Sequence, residues 1–172
     1  MSSNFCTKKI DWSKYGVVYA GAQKNVGPAG ICITIVRNDL IGNQRKDTPM
    51  LCDWATFSKA ANTFHNTPAC WAIYMAGLNI EYMVKQGGVE AMGNAAKART
   101  ELLYKFIDES GDYYKNTVEP KYRSRMNVPF RVCCNDELEA KFIKEAGEAG
   151  LIELKGHRSV GGCRASLYNA MP

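Results

Sequence analysis

The chain has 172 residues, 46% of them hydrophobic and 23% charged, with a formal net charge of +5. That length holds one domain, or one small domain and part of another, and the composition excludes a disordered chain. Lysines and arginines are scattered without a block of five or six, which argues against a nucleic-acid partner, and no apolar run approaches the roughly 20 residues that span a bilayer. The seven cysteines are odd in number and contain no CxxC or metal-ligand spacing, so no metal site is expected. Several lie in apolar runs, as reduced core thiols do. Met1-Ser2-Ser3-Asn4-Phe5-Cys6 lacks the apolar centre of a signal peptide. Together these features lead us to expect a reducing, cytoplasmic setting.

Residues 16–20 (GVVYA) and 30–36 (GICITIV) are short, apolar and rich in β-branched residues, and predict strands buried on both faces. Between them, residues 21–29 (GAQKNVGPA) form a loop punctuated by Gly and Pro. Residues 43–49 are polar loop, and 51–64 has no clear period. Thr67-Pro68 predicts a helix start, with Thr67 as N-cap and Pro68 at the first helical position. Trp71, Tyr74, Met75, Leu78 and Tyr82 then fall on one helical face, expected to point inward, until Gly87-Gly88. A second helix is expected over 89–110, with Leu102, Leu103, Phe106 and Ile107 turned inward.

The rest predicts a small α/β unit. Met126, Val128, Phe130 and Val132 alternate with polar or Pro positions, the pattern of a half-buried strand. Pro129 cannot donate to a ladder, so one side of that strand should be open there. Residues 136–149 carry Leu138, Phe142, Ile143 and Ala146 at helical spacing, with Gly150 as the stop. Residues 151–154 are a short strand candidate.

Three segments can carry chemistry. Lys24 sits in a Gly-rich loop between two strands, where α/β folds place active sites and where a desolvated amine can form a Schiff base. A loop lysine is also ordinarily a solvated charge. The run 155–164 (KGHRSVGGCR) gathers two arginines and His157 around a Gly-flanked turn, suited to an anion and equally to an exposed basic loop. Asn66-Thr67-Pro68 offers a helix N-terminus, a place for phosphate or simply a capped helix.

Taken in order, these segments resemble one family. Ala20 to Gly30 (AGAQKNVGPAG) is similar to the cofactor-lysine segment of phosphoserine aminotransferases, with Tyr15-Gly16 before it and residues 36–40 (VRNDL) after it. Asn66-Thr67-Pro68, residues 73–78 (IYMAGL), 125–131 (RMNVPFR), 154–162 (LKGHRSVGG) and 164–170 (RASLYNA) continue the likeness over nearly the whole chain. The resemblance implies an α/β fold: the end of a fold-type-I large domain over residues 1–85, then a small C-terminal domain over 86–172, incomplete at its end. It also implies a homodimer that uses pyridoxal 5'-phosphate, with Lys24 as the residue bonded to the cofactor and the proton shuttle at the substrate Cα. Gln23 would touch the cofactor phosphate, and Asn66 and Thr67 would reach it from the partner subunit. Arg164 would hold the substrate α-carboxylate, and His157 and Arg158 the phosphate of phosphoserine; glutamate and the two oxo acids complete the substrates. Family members carry an acidic partner for the pyridine nitrogen just before the segment like Met1-Ser2-Ser3, so the chain is expected to be the C-terminal half of such an enzyme. Other fold-type-I activities, or a non-catalytic dimerisation partner, are the alternatives.

Overall fold

The computed structural model describes residues 1–171. The chain divides into two compact units, Met1–Glu90 and Ala91–Pro172.

In the first unit the expected strands form as β1 (Val17–Gly21) and β2 (Cys32–Val36), paired antiparallel with Val17 opposite Val36 and Gly21 opposite Cys32. They are not buried on both faces. Val18 and Ala20 point into the core while Val17 and Tyr19 are exposed, because two strands make only a ribbon and nothing in this unit covers its second face. The unpatterned stretch 51–64 holds a short helix, α1 (Trp54–Ser58), capped by the Asp53 carboxylate, which accepts from the Ala55 amide at 2.9 Å.

The first long helix, α2 (Cys70–Lys85), starts later than Thr67 predicts. Ala69 stands at its N-cap with no side-chain bond, and Thr67 and Pro68 lead into it as irregular chain. Its expected inward face is the outer one: Trp71 is 66% and Tyr74 64% exposed. The buried positions are Ala72, Ala76 and Met83, about a third of a turn round the helix. Packing explains the choice. A Cβ on Gly27 would lie 3.0 Å from the Ala76 Cα, so the 21–29 loop approaches the α2 backbone closely and only small residues fit between them. Ala22, Val26 and Ala76 form this core, flanked by Phe5, Cys6, Ile31 and Ile33.

Helix α3 (Gly88–Glu109) follows. Ile107 turns inward as expected and Leu103 packs partly, but Leu102 and Phe106 are exposed; Thr100 and Tyr104 take their place on the buried side. In the second unit β3 (Tyr114–Lys115), β4 (Asn127–Val132) and β5 (Cys163–Ser166) form an antiparallel sheet in that order. The alternation read from the sequence holds: Met126, Val128, Phe130 and Val132 are all buried. β3 pairs only with Val132 and Arg131, so the side of β4 at Pro129 is open, and the Pro129 carbonyl accepts from the Asn116 side-chain amide at 2.7 Å.

Helix α4 (Asp136–Glu148) is capped by the Asn135 side chain, which accepts from the amides of Glu137 and Leu138. It ends before Gly150, with Leu151 N–H donating to the Ala146 carbonyl at 2.8 Å. Phe142, Ile143 and Ala146 face the sheet, but Leu138 is exposed and its neighbour Glu139 is 4% exposed in its place. Glu139 can occupy that slot because its carboxylate accepts from the Arg131 guanidinium and from the Val132 amide at 3.3 Å. Residues 151–154 form no strand; Glu153 sits at φ +60, which breaks an extended run, and a single bridge between Lys155 and Cys163 is all that joins the sheet.

No disulfide joins any of the seven cysteines, but core packing describes only Cys163 and, in part, Cys6; the other five are exposed on β2, in loops or at a helix start. Burial in the sheet pushes the Cys163 thiol up to about 11. The neutral thiol is thus favoured by folding. Its contribution to stability is complete below the unfolded thiol's pKa of about 8.5 and is lost as the pH climbs to about 11. We expect Cys163→Ala to flatten the fall in urea midpoint over that window; an unchanged slope would contradict the assignment.

Candidate active site

The loop between β1 and β2 is a closed turn. The Ala22 carbonyl accepts from both Val26 N–H at 3.1 Å and Gly27 N–H at 2.9 Å, and Ala22 N–H donates to the Ile31 carbonyl at 3.1 Å. Ala22, Asn25 and Val26 point inward, while Gln23 and Lys24 point outward at the crest. Alternation of this kind fixes the backbone under an exposed amine.

Asn25 is the anchor, and the sequence reading passed over it. Its side chain is 3% exposed and donates to the carbonyls of Ser3 at 2.7 Å and Phe5 at 3.1 Å. Its own carbonyl accepts from the Asn79 side-chain amide of α2 at 2.9 Å. Ser2 adds a further tie, its Oγ accepting from the Gly21 amide at 2.9 Å. The loop is therefore held to the segment before β1 on one side and to α2 on the other. No pattern of residue types marks it, because its side-chain partners are backbone carbonyls.

Lys24 makes no hydrogen bond or ion pair among the described residues, so its amine is open to an electrophile. The Gln23 amide lies over Gly21, in the space a side chain there would fill. Asn66 and Thr67 are exposed on irregular chain before α2, and no hydrogen bond among the described residues joins them to Gln23 or Lys24.

In the second unit the 156–162 loop closes on itself. Gly156 N–H donates to the Gly162 carbonyl at 2.8 Å, and the His157 carbonyl accepts from Val160 and Gly161 at 2.8 Å each. The His157 Nδ1 accepts from the Ser159 amide at 3.3 Å and contacts its hydroxyl at 2.7 Å. With Nδ1 accepting, the proton of the neutral ring lies on Nε2, leaving a donor free for an anion. Arg158 is exposed beside it.

Arg164 lies on β5 opposite Pro129, half-buried, and its Nε is buried with no partner among the described residues. A buried guanidinium donor left open is costly, and a ligand carboxylate would satisfy it. The first unit thus presents an amine at the crest of a pinned loop, and the second, taken by itself, presents a guanidinium and an imidazole open to an anion.

The family model for Aminotransferase class-V matches residues 1–172, the whole chain. The chain belongs to the class-V aminotransferases. It is 52% identical over 172 residues to phosphoserine aminotransferase 2, chloroplastic, of Arabidopsis thaliana, covering all of this chain and 40% of that protein. It is also 52% identical to the phosphoserine aminotransferase of Histophilus somni, covering 47% of it. Among solved structures, the enzyme from Bacillus circulans subsp. alkalophilus matches at 42% identity and a TM-score of 0.94, over all of this chain and 47% of that one. The pyridoxal-phosphate-bound phosphoserine aminotransferase from Trichomonas vaginalis matches at 37% and 0.92, over 49% of its chain. The chain thus spans about half the length of the relatives it matches, and its α/β fold is that of this class-V aminotransferase half. No helix among the described residues is long and apolar enough to cross a membrane.

If Asn25 holds the loop, its loss frees the peptide after Lys24. Asn25→Ala should speed trypsin cleavage at Lys24 several-fold and lower unfolding stability by about 1–3 kcal/mol, because two part-buried carbonyls lose their donor. Gly27→Ala should also destabilise, through contact with Ala76. Cleavage at the wild-type rate in Asn25→Ala would refute the anchor.

Proposed function

We propose that the protein containing this chain is a phosphoserine aminotransferase, transferring the amino group of glutamate to 3-phosphohydroxypyruvate to give O-phosphoserine and 2-oxoglutarate. The observation that carries the proposal is the exposed, unpartnered Lys24 amine on a loop pinned from two sides, in a chain about half identical, over its full length, to proteins named phosphoserine aminotransferase.

Pyridoxal phosphate, when bound, supplies the electron sink that stabilises charge at the substrate Cα. Lys24 would hold the cofactor through its amine and would move the proton at the substrate Cα. Gln23, next to it on the crest, donates to the cofactor phosphate, and Asn66 and Thr67 of the partner subunit do the same. Arg164 takes the α-carboxylate through its open guanidinium. His157, with Nε2–H outward, and Arg158 take the substrate phosphate, the group that separates phosphoserine from other amino donors.

Residues 1–85 belong to the large domain and 86–172 to the small one in this reading. Assembly as a homodimer is supported by the α2 stripe of Trp71, Tyr74, Leu78 and Tyr82, an apolar surface of the kind that interfaces cover. A cytoplasmic location fits seven cysteines without a disulfide, and a fluorescent fusion should show diffuse signal, an organellar one overturning it.

In the full-length protein, Lys24→Ala should abolish the borohydride-reducible cofactor adduct; retention at full occupancy would sink the role of Lys24. Arg158→Ala should slow the half-reaction with phosphoserine by roughly tenfold to a hundredfold, and that with glutamate much less. Arg164→Ala should slow both, and Arg164→Lys should recover little, because the two-pronged grip is lost. The measure is single-turnover absorbance with each donor. Equal slowing by Arg158→Ala would turn that loop into scaffolding.

A further inference from the structure

The link between β4 and α4 is a two-residue turn. The Val132 carbonyl accepts from Asn135 N–H at 3.0 Å, and the residues between them are Cys133 at φ +50 and Cys134 at φ +48. Positive φ at both central positions is the requirement of a type I′ turn, which favours Asn-Gly because L side chains are disfavoured there. Two adjacent cysteines in that place go against local preference, and neither gains from packing, since both are exposed. Conflict between residue choice and backbone, without a packing return, is the mark of a functional constraint.

Both ends of the turn are fixed. Cys133 N–H donates to the Tyr113 carbonyl at 2.7 Å, and Asn135 caps α4 through the amides of Glu137 and Leu138. Arg131, just before, is held by Asp136 at 2.7 Å and by Glu139. Two thiols on consecutive residues of a rigid turn are therefore presented together to solvent. The remaining thiols are not so placed: Cys163 is buried, Cys6 half-buried, and Cys32, Cys52 and Cys70 lie far apart in sequence.

We propose that Cys133 and Cys134 form a vicinal dithiol site that captures trivalent arsenic, bonding it through both sulfurs. With phenylarsine oxide, the two S–H bonds break, two As–S bonds form, and the arsenical oxygen leaves with both protons as water. Arsenic stays trivalent, so no oxidant or reductant is needed. A ring closed on one turn resists a monothiol, which must displace both bonds in succession, and yields to a dithiol, which closes a ring of its own. Soft thiolates suit such a thiophilic centre. The site is independent of the aminotransferase reading.

The test uses full-length protein, phenylarsine oxide and excess glutathione, followed by tryptic mass spectrometry of the peptide spanning residues 132–141. We expect one arsenical on that peptide, retained in glutathione and removed by dithiothreitol. Cys133→Ser and Cys134→Ser should each abolish retention, and Cys32→Ser should leave it intact. The double change Cys133→Asn with Cys134→Gly should abolish it too while keeping or raising Tm, which separates loss of the site from loss of the fold. An adduct stripped by glutathione from the wild type, or retained in either serine variant, would overturn the proposal.

Discussion

The Asn25 side chain sits almost entirely out of water, and its amide hydrogens go to the carbonyls of Ser3 and Phe5. A buried amide without partners costs several kcal/mol, so the first segment, the β1–β2 loop and α2 must hold their relative positions together or all shift. Gly27 tightens the same arrangement, since its approach to Ala76 leaves no room for a side chain. Lys24 inherits its place from both neighbours. Its long side chain is free to move, but its Cα is not.

The second unit uses an ion pair where the first uses an amide. Glu139 is buried under the sheet, and Arg131 reaches it from β4. The stem of Arg131 lies against Gly162, where a Cβ would come within 2.8 Å of the Arg131 Cδ. The loop carrying His157 and Arg158 therefore closes over the arginine that neutralises Glu139. Arg123 makes a similar link at the far end of the sheet, stacking on Tyr104 while gripping Asp108 through both oxygens. That contact holds the Asp108 carboxyl below the usual carboxylate range.

Much of this order can be read in the residues. Strict alternation over Met126 to Val132 identified β4, because one face buried and one not leaves a period of two that nothing else imitates. Gly and Pro bounded the Lys24 loop for the same local reason. Helix faces were harder. On α2 the large apolar residues lie outside and the alanines inside, since the inner face is set by how near a loop must come, and hydrophobicity carries no information about distance. Leu138 and Glu139 exchanged places because a carboxylate on α4 can be buried once an arginine from the adjoining strand β4 meets it, a pairing between two elements that the period of neither one records. Asn25 was missed for a related reason: its partners are backbone carbonyls, which leave no trace in residue identity.

Pro129 has a consequence for how the molecule behaves in a crowd. β4 is shielded by β5 along one side, but β3 is so short that the opposite side is open beside Pro129. An open strand margin ordinarily invites another chain to zip onto it. Here the incoming chain finds no N–H to accept from, because proline has none, and no carbonyl to donate to, because Asn116 already holds it. One imino acid and one amide side chain thus blunt this margin of β4 against strangers, a local safeguard that requires no additional strand.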